Sequence, residues 1–464
     1  MAATATVQEL VEHALAVSTA DDCIAIAHHT TSANLRWANN TLTTNGAMRS
    51  VDLAVVSFVR QPGGPAAGSM AGSAATPEQV EALVAAADAA ARAADPATDA
   101  QDLVTGAVTP RWDEPPVETD VHVFDRFAPA LGEAFGRARE GGRVLYGFVD
   151  HRITTTYVAS TSGLRLRHVQ PTGHYGFTGK TADLTNSAWV GGATRDFAGV
   201  DALALEAELE RRLGWGSRRV DLPAGRYDTI LPPTAVADLM IDAYWYAGAR
   251  DAHDGQSVFS RRGGGTRIGE QVARSDVTLA SDPAYPGLEC SPHVVTSSSG
   301  DDRSVFDTGL PLSRTDWIGG GTLSALRQTR ETAGLTGQPV TPAIDNLVLD
   351  VDGSTGFLED LVAGTERGLL LTCLWYIRAV DPQTLLLTGL TRDGVYLVEG
   401  GEITGAVNNF RFNESPVDLL RRFSHASATV PAFSREWGDD YFSRTAMPAL
   451  RVPDFNMSSV SQAR

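Results

Sequence analysis

The stretch ADLMIDAYWYAGARDAHDG, residues 237 to 255, gathers five groups able to touch a metal or move a proton: Asp238, Asp242, Asp251, His253 and Asp254. Residues four apart, such as Asp238 and Asp242, share one face of a helix. With an imidazole nearby, such a face can hold a divalent cation or serve as acid and base. The same spacing also suits a packing helix, because Val236, Met240, Ala243 and Ala247 form an apolar stripe with Asp238 and Asp242 on the other side. Asp251, His253 and Asp254 then read as a polar turn entering Gly255. The segment is expected as one helix running into that turn.

A second constellation is His168 and His174, which flank QPTG, read here as a turn, and could converge with a carboxylate on a metal. Satisfying backbone groups is the commoner fate of such histidines. Asp350-Val351-Asp352-Gly353 with Glu359 fails as a calcium loop, since glycine stands fourth where the EF-hand needs it sixth. A strand, a turn and a helix opened by Ser354 are expected there instead. The glycine runs 263–265 and 319–321 match neither Gly-x-Gly-x-x-Gly nor a P-loop, so loop flexibility or close backbone approach is the better reading. No Gly-x-Ser-x-Gly elbow occurs. Cys23, Cys290 and Cys373 are too scattered for a disulfide framework, and Cys373, inside an apolar run, is expected to be an inert thiol.

The elements that must position these groups fall into two halves. In the first, Thr6 and Glu9 have capping-box spacing ahead of an apolar stripe, so a helix is expected. Residues 21–46 read as paired strands with Asn45-Gly46 as the turn, 51–59 as a further strand, and QPGGPAAGSMAGSAA (61–75) as a linker or surface loop. Thr76-Pro77 opens an alanine-rich helix, and FAPALGEAFGRARE another. Residues 146–180 alternate like a meander of short strands, and 202–216 form an amphipathic helix. The second half, after a boundary near residue 220, has many strand-like runs and few helices, so an all-parallel sheet is not expected. The fold class is α+β: an N-terminal domain over residues 1–220 and a β-rich, barrel-like C-terminal domain over 221–464.

At 464 residues with 43% apolar content the chain can bury a large core. A formal charge of −18 opposes binding to nucleic acid and to anionic membranes. The longest apolar runs, such as LLLTCLW, fall far short of the ~20 residues a membrane helix needs. A cytoplasmic location is expected.

Several segments together resemble the TldD/PmbA family, once called modulators of DNA gyrase and understood as metalloproteases. They are SANLRWANNTLTTNG (32–46), GQSVFSRRGGGTRIGEQVARSDVTLASDP (255–283), DNLVLDVDGSTGFLEDLVAGTERGLLLT (345–372), GVYLVEGGEITGAVNNFRF (394–412) and MPALRVPDFNMSSV (447–460). The resemblance implies an α+β N-terminal and a β-rich C-terminal domain, with subunits pairing around an enclosed proteolytic chamber. In such families the zinc-bearing subunit carries His-Glu-x-x-x-His on the helix matching the opening stretch, with a cysteine near the C-terminus as third ligand. Two imidazoles and a thiolate would hold the metal while the glutamate takes a proton from bound water.

This chain departs from that pattern. An ungapped count back from Ser257-Val258-Phe259 puts the motif on Met240-Ile241-Asp242-Ala243-Tyr244-Trp245, with no histidine. None of the ten histidines precedes a glutamate, no cysteine follows Cys373, and the third-ligand position near Ser434 is hydroxylic. No catalytic, cofactor or metal residue is therefore assigned to the chain. The resemblance implies a PmbA-like, or TldE-like, non-catalytic subunit that pairs with a zinc-bearing TldD-like subunit as a heterodimer and handles unfolded or leader peptides, with zinc held by the partner. Two alternatives stand beside it: a stand-alone metallopeptidase with an atypical site around His168 and His174, and a regulatory binding protein without proteolysis.

Overall fold

The computed structural model describes residues 5–438 and 444–462. Helix α1 (Val7–Val17) opens with the expected capping box: the Glu9 N–H donates to Thr6 Oγ1 at 3.2 Å, and the Thr6 N–H to Glu9 Oε2 at 2.7 Å. Strands β1 (Asp22–Ala38) and β2 (Thr41–Gln61) form a long hairpin. Its turn is Asn39-Asn40, both left-handed at φ 51° and 56°, and not Asn45-Gly46; Gly46 pairs with Asn34 inside the ladder. The run 51–59 is thus the continuation of β2.

The glycine-rich stretch expected as a loop is strand β3 (Gly64–Ser73). Its small residues let helix α2 (Pro77–Ala93) lie directly on the sheet, since a Cβ on Gly68 would collide with the backbone at Ala91. Helix α3 (Phe127–Glu140) leads to two long strands, β4 (Arg143–Ser160) and β5 (Arg165–Thr181), in place of a meander. QPTG is no turn: Pro171 pairs with Ile153 in mid-ladder. Strand β6 (Ser187–Thr194) and helix α4 (Ala202–Trp215) complete the half. The antiparallel sheet runs β3-β2-β1-β4-β5-β6.

Strand periodicity sorts its two faces. Cys23, Ala25 and Ala27 pack under α1 and α2, and Ala33, Leu35 and Trp37 under α3 and α4. The opposite face, carrying Ile24, Ile26, Val158 and Leu166, packs on Val305 and Phe306 of the second half.

That half begins with β7 (Arg219–Val220), β8 (Gly225–Leu231), α5 (Pro233–Trp245) and α6 (Ala249–His253). Strands β9 (Val277–Ser281), β10 (Thr315–Gly319) and β11 (Thr322–Leu323) follow, then α7 (Arg330–Thr336), β12 (Leu347–Val351) and α8 (Leu358–Ala363). Helix α8 starts later than Ser354, where the Asp360 carboxylate accepts the Phe357 N–H at 2.7 Å. Next come β13 (Arg367–Leu371), β14 (Leu374–Asp381), β15 (Leu386–Thr391), β16 (Val395–Glu399), β17 (Glu402–Val407) and β18 (Phe410–Glu414). Helix α9 (Pro416–Arg422) precedes β19 (His425–Ala426), β20 (Val430–Ala432), β21 (Thr445–Met447) and β22 (Leu450–Val460).

These strands build two mostly antiparallel open sheets, β11-β10-β9-β12-β21-β20 and β14-β15-β18-β22-β8-β13-β16-β17-β7. Neither closes, so the barrel-like expectation gives way to two open sheets, while the α+β class stands. Side chains from both share one core with α5, which is apolar on nearly every side and buried from Ala235 to Tyr244. Among the described residues no helix is long and apolar enough to cross a membrane.

Candidate functional site

The opening stretch is not one helix. Pro233 at its first turn starts α5, the chain breaks at Tyr246 to Gly248, and α6 is a separate short helix. Asp238 and Asp242 do not lie on a solvated side: both are buried, against the turn 434–438 that follows β20. Ser434, itself fully buried, donates its hydroxyl to Asp238 Oδ1 at 2.6 Å, and the Glu436 N–H donates to the same oxygen at 3.1 Å. The Trp437 indole N–H donates to the Asp238 main-chain oxygen at 3.1 Å, and its ring meets Trp245 edge-on at 5.0 Å. Oδ2 of each aspartate has no hydrogen-bond partner among the described residues.

Burial pushes the Asp238 carboxyl up to about 7, with the Glu436 charge adding to the rise and the Ser434 and Glu436 donors opposing it. Burial likewise lifts Asp242 to about 7, and Glu436 is raised for the same reason. Near neutral pH the Asp238 and Asp242 carboxyls are poised between charged and neutral.

The position opposite α5 that the resemblance assigns to a third metal ligand is thus occupied by Ser434, spent on Asp238. Met240 and Ile241 sit in the apolar core. Asp238, Asp242 and Ser434 are not the imidazole and thiolate donors of a zinc site, and among the described residues no three His, Cys, Asp or Glu groups come together as ligands. Asp251 is half-buried beside Asp301 and Arg327, and burial raises its carboxyl. His253 and Asp254 end α6, as a polar turn would. Cys373, buried at the break between β13 and β14, has its thiol raised to about 12 by burial, in keeping with an inert thiol.

The open chemistry lies elsewhere, on the seam between the halves. His168, Gln170, Thr172 and His174 alternate along β5 on the face turned toward the C-terminal half. A cleft of about 470 Å³ opens there, walled by β5, edge strand β6, the Pro232–Thr234 entry to α5, and edge strand β20 with Phe433. His168 shares a hydrogen bond of 3.1 Å with Gln170 Oε1, and burial holds its imidazole below the usual range. His174 opens into a neighbouring hollow of about 560 Å³ and stacks on Phe433, rings 5.8 Å apart and 9° from parallel. The two histidines therefore face different hollows.

Gly191 and Gly192 let aromatic rings lie flat along β6: a Cβ on the first would strike Trp189, and on the second Tyr175. Arg435 sits between Trp375 and Trp189, its guanidinium 4.1 and 5.0 Å from the two rings, and reaches Asp393 at 3.6 Å. Asp393 also accepts the Ser187 hydroxyl across the seam at 2.5 Å. Arg435 and Trp189 stand in no motif; of this region the sequence marked His168 and His174, as residues flanking an expected turn, and Ser434, through the family resemblance.

Residues 224–459 match the family model described as PmbA/TldA metallopeptidase C-terminal domain. No curated protein sequence matches the chain. Among solved structures, TldE from Thermococcus kodakarensis superposes with a TM-score of 0.74 at 16% identity, over 97% of this chain and 99% of that one. A protein from Thermotoga maritima described as a modulator of a DNA gyrase gives 0.76 at 17% identity, over 97% and 100%. Another so described, from Bacteroides thetaiotaomicron, gives 0.72 at 13%, over 98% of each. The fold is shared along the whole chain, and with the family model covering more than half of it, this chain belongs to the PmbA/TldD family of metallopeptidase-related proteins.

Proposed function

We propose that the chain is the non-catalytic, TldE-like subunit of a zinc metalloprotease, which pairs with a zinc-bearing family member and helps hold an unfolded or leader peptide. The observation that carries this reading is the α5 locus, where a buried aspartate and a serine hydroxyl engage each other at the place the family resemblance assigns to zinc. Neither group is a histidine or a thiolate, so no hydrolytic step is assigned to this chain. The seam supports the peptide-holding part: β6 and β20 are both edge strands, and an edge strand offers main-chain donors and acceptors to an extended peptide whatever its sequence.

The test is co-expression with a family member bearing His-Glu-x-x-x-His, followed by metal analysis of each chain. Zinc is expected with the partner, and peptide hydrolysis only from the pair. If this chain alone carried stoichiometric zinc and cleaved peptides, the reading would be wrong. The names of the Thermotoga and Bacteroides proteins favour a second reading, a binding protein acting on gyrase without proteolysis. Retention of gyrase by the immobilised chain, with no effect on peptide hydrolysis by the pair, would select it.

A further inference from the structure

The chain carries 38 basic against 56 acidic side chains, yet the hollows of the seam reverse that balance. Into the main cleft project Arg195, Arg212 and Arg444 against the single acid Glu289. The aromatic hollow beside it has Arg36 and Arg435 and, among the described residues, no acid. A third, polar hollow of about 730 Å³ shares Arg212 with the cleft and adds Lys180, Arg219 and Arg392 against Asp221 and Asp393. Among the described residues that line these three hollows, eight are cations and three are acids, where the overall composition would give fewer cations than acids. Lys180 is the only lysine in the sequence.

Two of the three acids are already engaged. Glu289 pairs with Arg195 at 3.1 Å, and Asp393 is shared by Arg392 at 3.8 Å and Arg435 at 3.6 Å. Arg212 is held by Glu208 at 2.6 Å and by the Trp189 carbonyl at 2.8 Å. Arg36, Lys180, Arg219 and Arg444 have no carboxylate partner among the described residues. Among the described residues Arg444 donates to two neutral oxygens, the Asp345 carbonyl at 3.0 Å and Thr172 Oγ1 at 3.4 Å, the second contact crossing between the halves. The positive surface is bounded: the next hollow along the seam has Glu208, Glu359 and Glu402 against Arg211 and Arg212.

We propose that this seam selects acidic peptide segments, the carboxylates of an extended chain seating against Arg444, Lys180 and Arg219 while its backbone runs beside β6. The cations are spread through three hollows that share walls at Trp189, Phe433 and Arg212, which suits charges distributed along a chain better than one compact anion. The net charge of −18 disfavours the denser charge of a nucleic-acid backbone. This inference rests on the peptide-handling reading above.

The experiment measures fluorescence anisotropy of a labelled flexible peptide bearing glutamates, the same peptide with glutamine at those positions, and an oligothymidylate, each titrated with the purified full chain. The glutamate peptide should bind about tenfold tighter than its glutamine twin at low salt, and the gap should close as salt rises. The double variant Lys180→Glu, Arg219→Glu should abolish the preference, and because neither residue is in an ion pair among the described residues, unchanged circular dichroism is expected to accompany the loss. Equal binding of both peptides, or an unaltered preference in that variant, overturns charge selection and leaves peptide handling intact. Binding of neither peptide overturns both readings, and tighter binding of the oligothymidylate overturns the choice of ligand.

Discussion

The α5 locus and the seam cleft lie a few residues apart in sequence, joined by Phe433, Ser434 and Arg435, yet they handle charge in opposite ways. At α5 two carboxylates are sealed among apolar side chains and pushed toward neutrality. Along the seam, cations stay beside hollows with few carboxylates to meet them. A buried charge short of hydrogen bonds is costly and responds by shifting its pKa, whereas an arginine, whose pKa lies far above neutrality, keeps its charge and awaits a counter-charge. The first region is the interior of a packing unit and the second a surface suited to a ligand.

The largest expected effect that would break this contrast is at Asp238. Its raised carboxyl favours the protonated form in the folded state, so its stabilising contribution is fully present below the unfolded pKa near 4 and is lost as pH rises to about 7. Asp238→Asn keeps an acceptor for Ser434 without the charge. The variant should exceed the parent in stability by about 2–4 kcal/mol at pH 8 and by clearly less at pH 5, read from denaturant unfolding at the two values. An equal gain at both would show that the carboxyl is not raised. Next, Ser434→Ala removes one of two donors to the same oxygen and should cost about 1–3 kcal/mol, more at pH 8 than at pH 5, in thermal unfolding followed by circular dichroism.

On the seam, Asp393→Asn removes an acid shared by two arginines and should raise affinity for the glutamate peptide by about two- to fivefold, with no gain for the glutamine peptide. A gain for both would point to altered packing. The smallest effect belongs to neither region: Glu133→Gln breaks an exposed pair with Arg137 on α3 and should move stability by less than about 0.5 kcal/mol, setting the scale for the others.

Much of the fold was legible where a local rule dominates. Thr6 with Glu9 and Thr76 with Pro77 and Gln79 marked helix starts that the structure places there. The misread strands of the N-terminal half share one cause, the use of turn residues inside long strands. Asn45-Gly46 looked like the hairpin turn, but Asn39-Asn40 takes the left-handed positions and so sets the register that leaves Gly46 in the ladder. QPGG and QPTG were read as breaks by composition; Gly68 is there for the close approach of α2, and Pro171 lies within paired strands whose partners are far away in sequence.

By itself the sequence determined what the chain can offer chemically: no His-Glu-x-x-x-His, no cysteine after Cys373, and a strongly acidic balance. These follow from residue identity and from spacings within one or two turns. Only the tertiary structure decided that Ser434 meets Asp238 across 196 positions, that both aspartates of α5 are buried, and that cations from both halves line one seam. Such contacts are set by which faces of sheets and helices bury one another, and a face is chosen by the packing of the whole chain, since no short spacing records its partner.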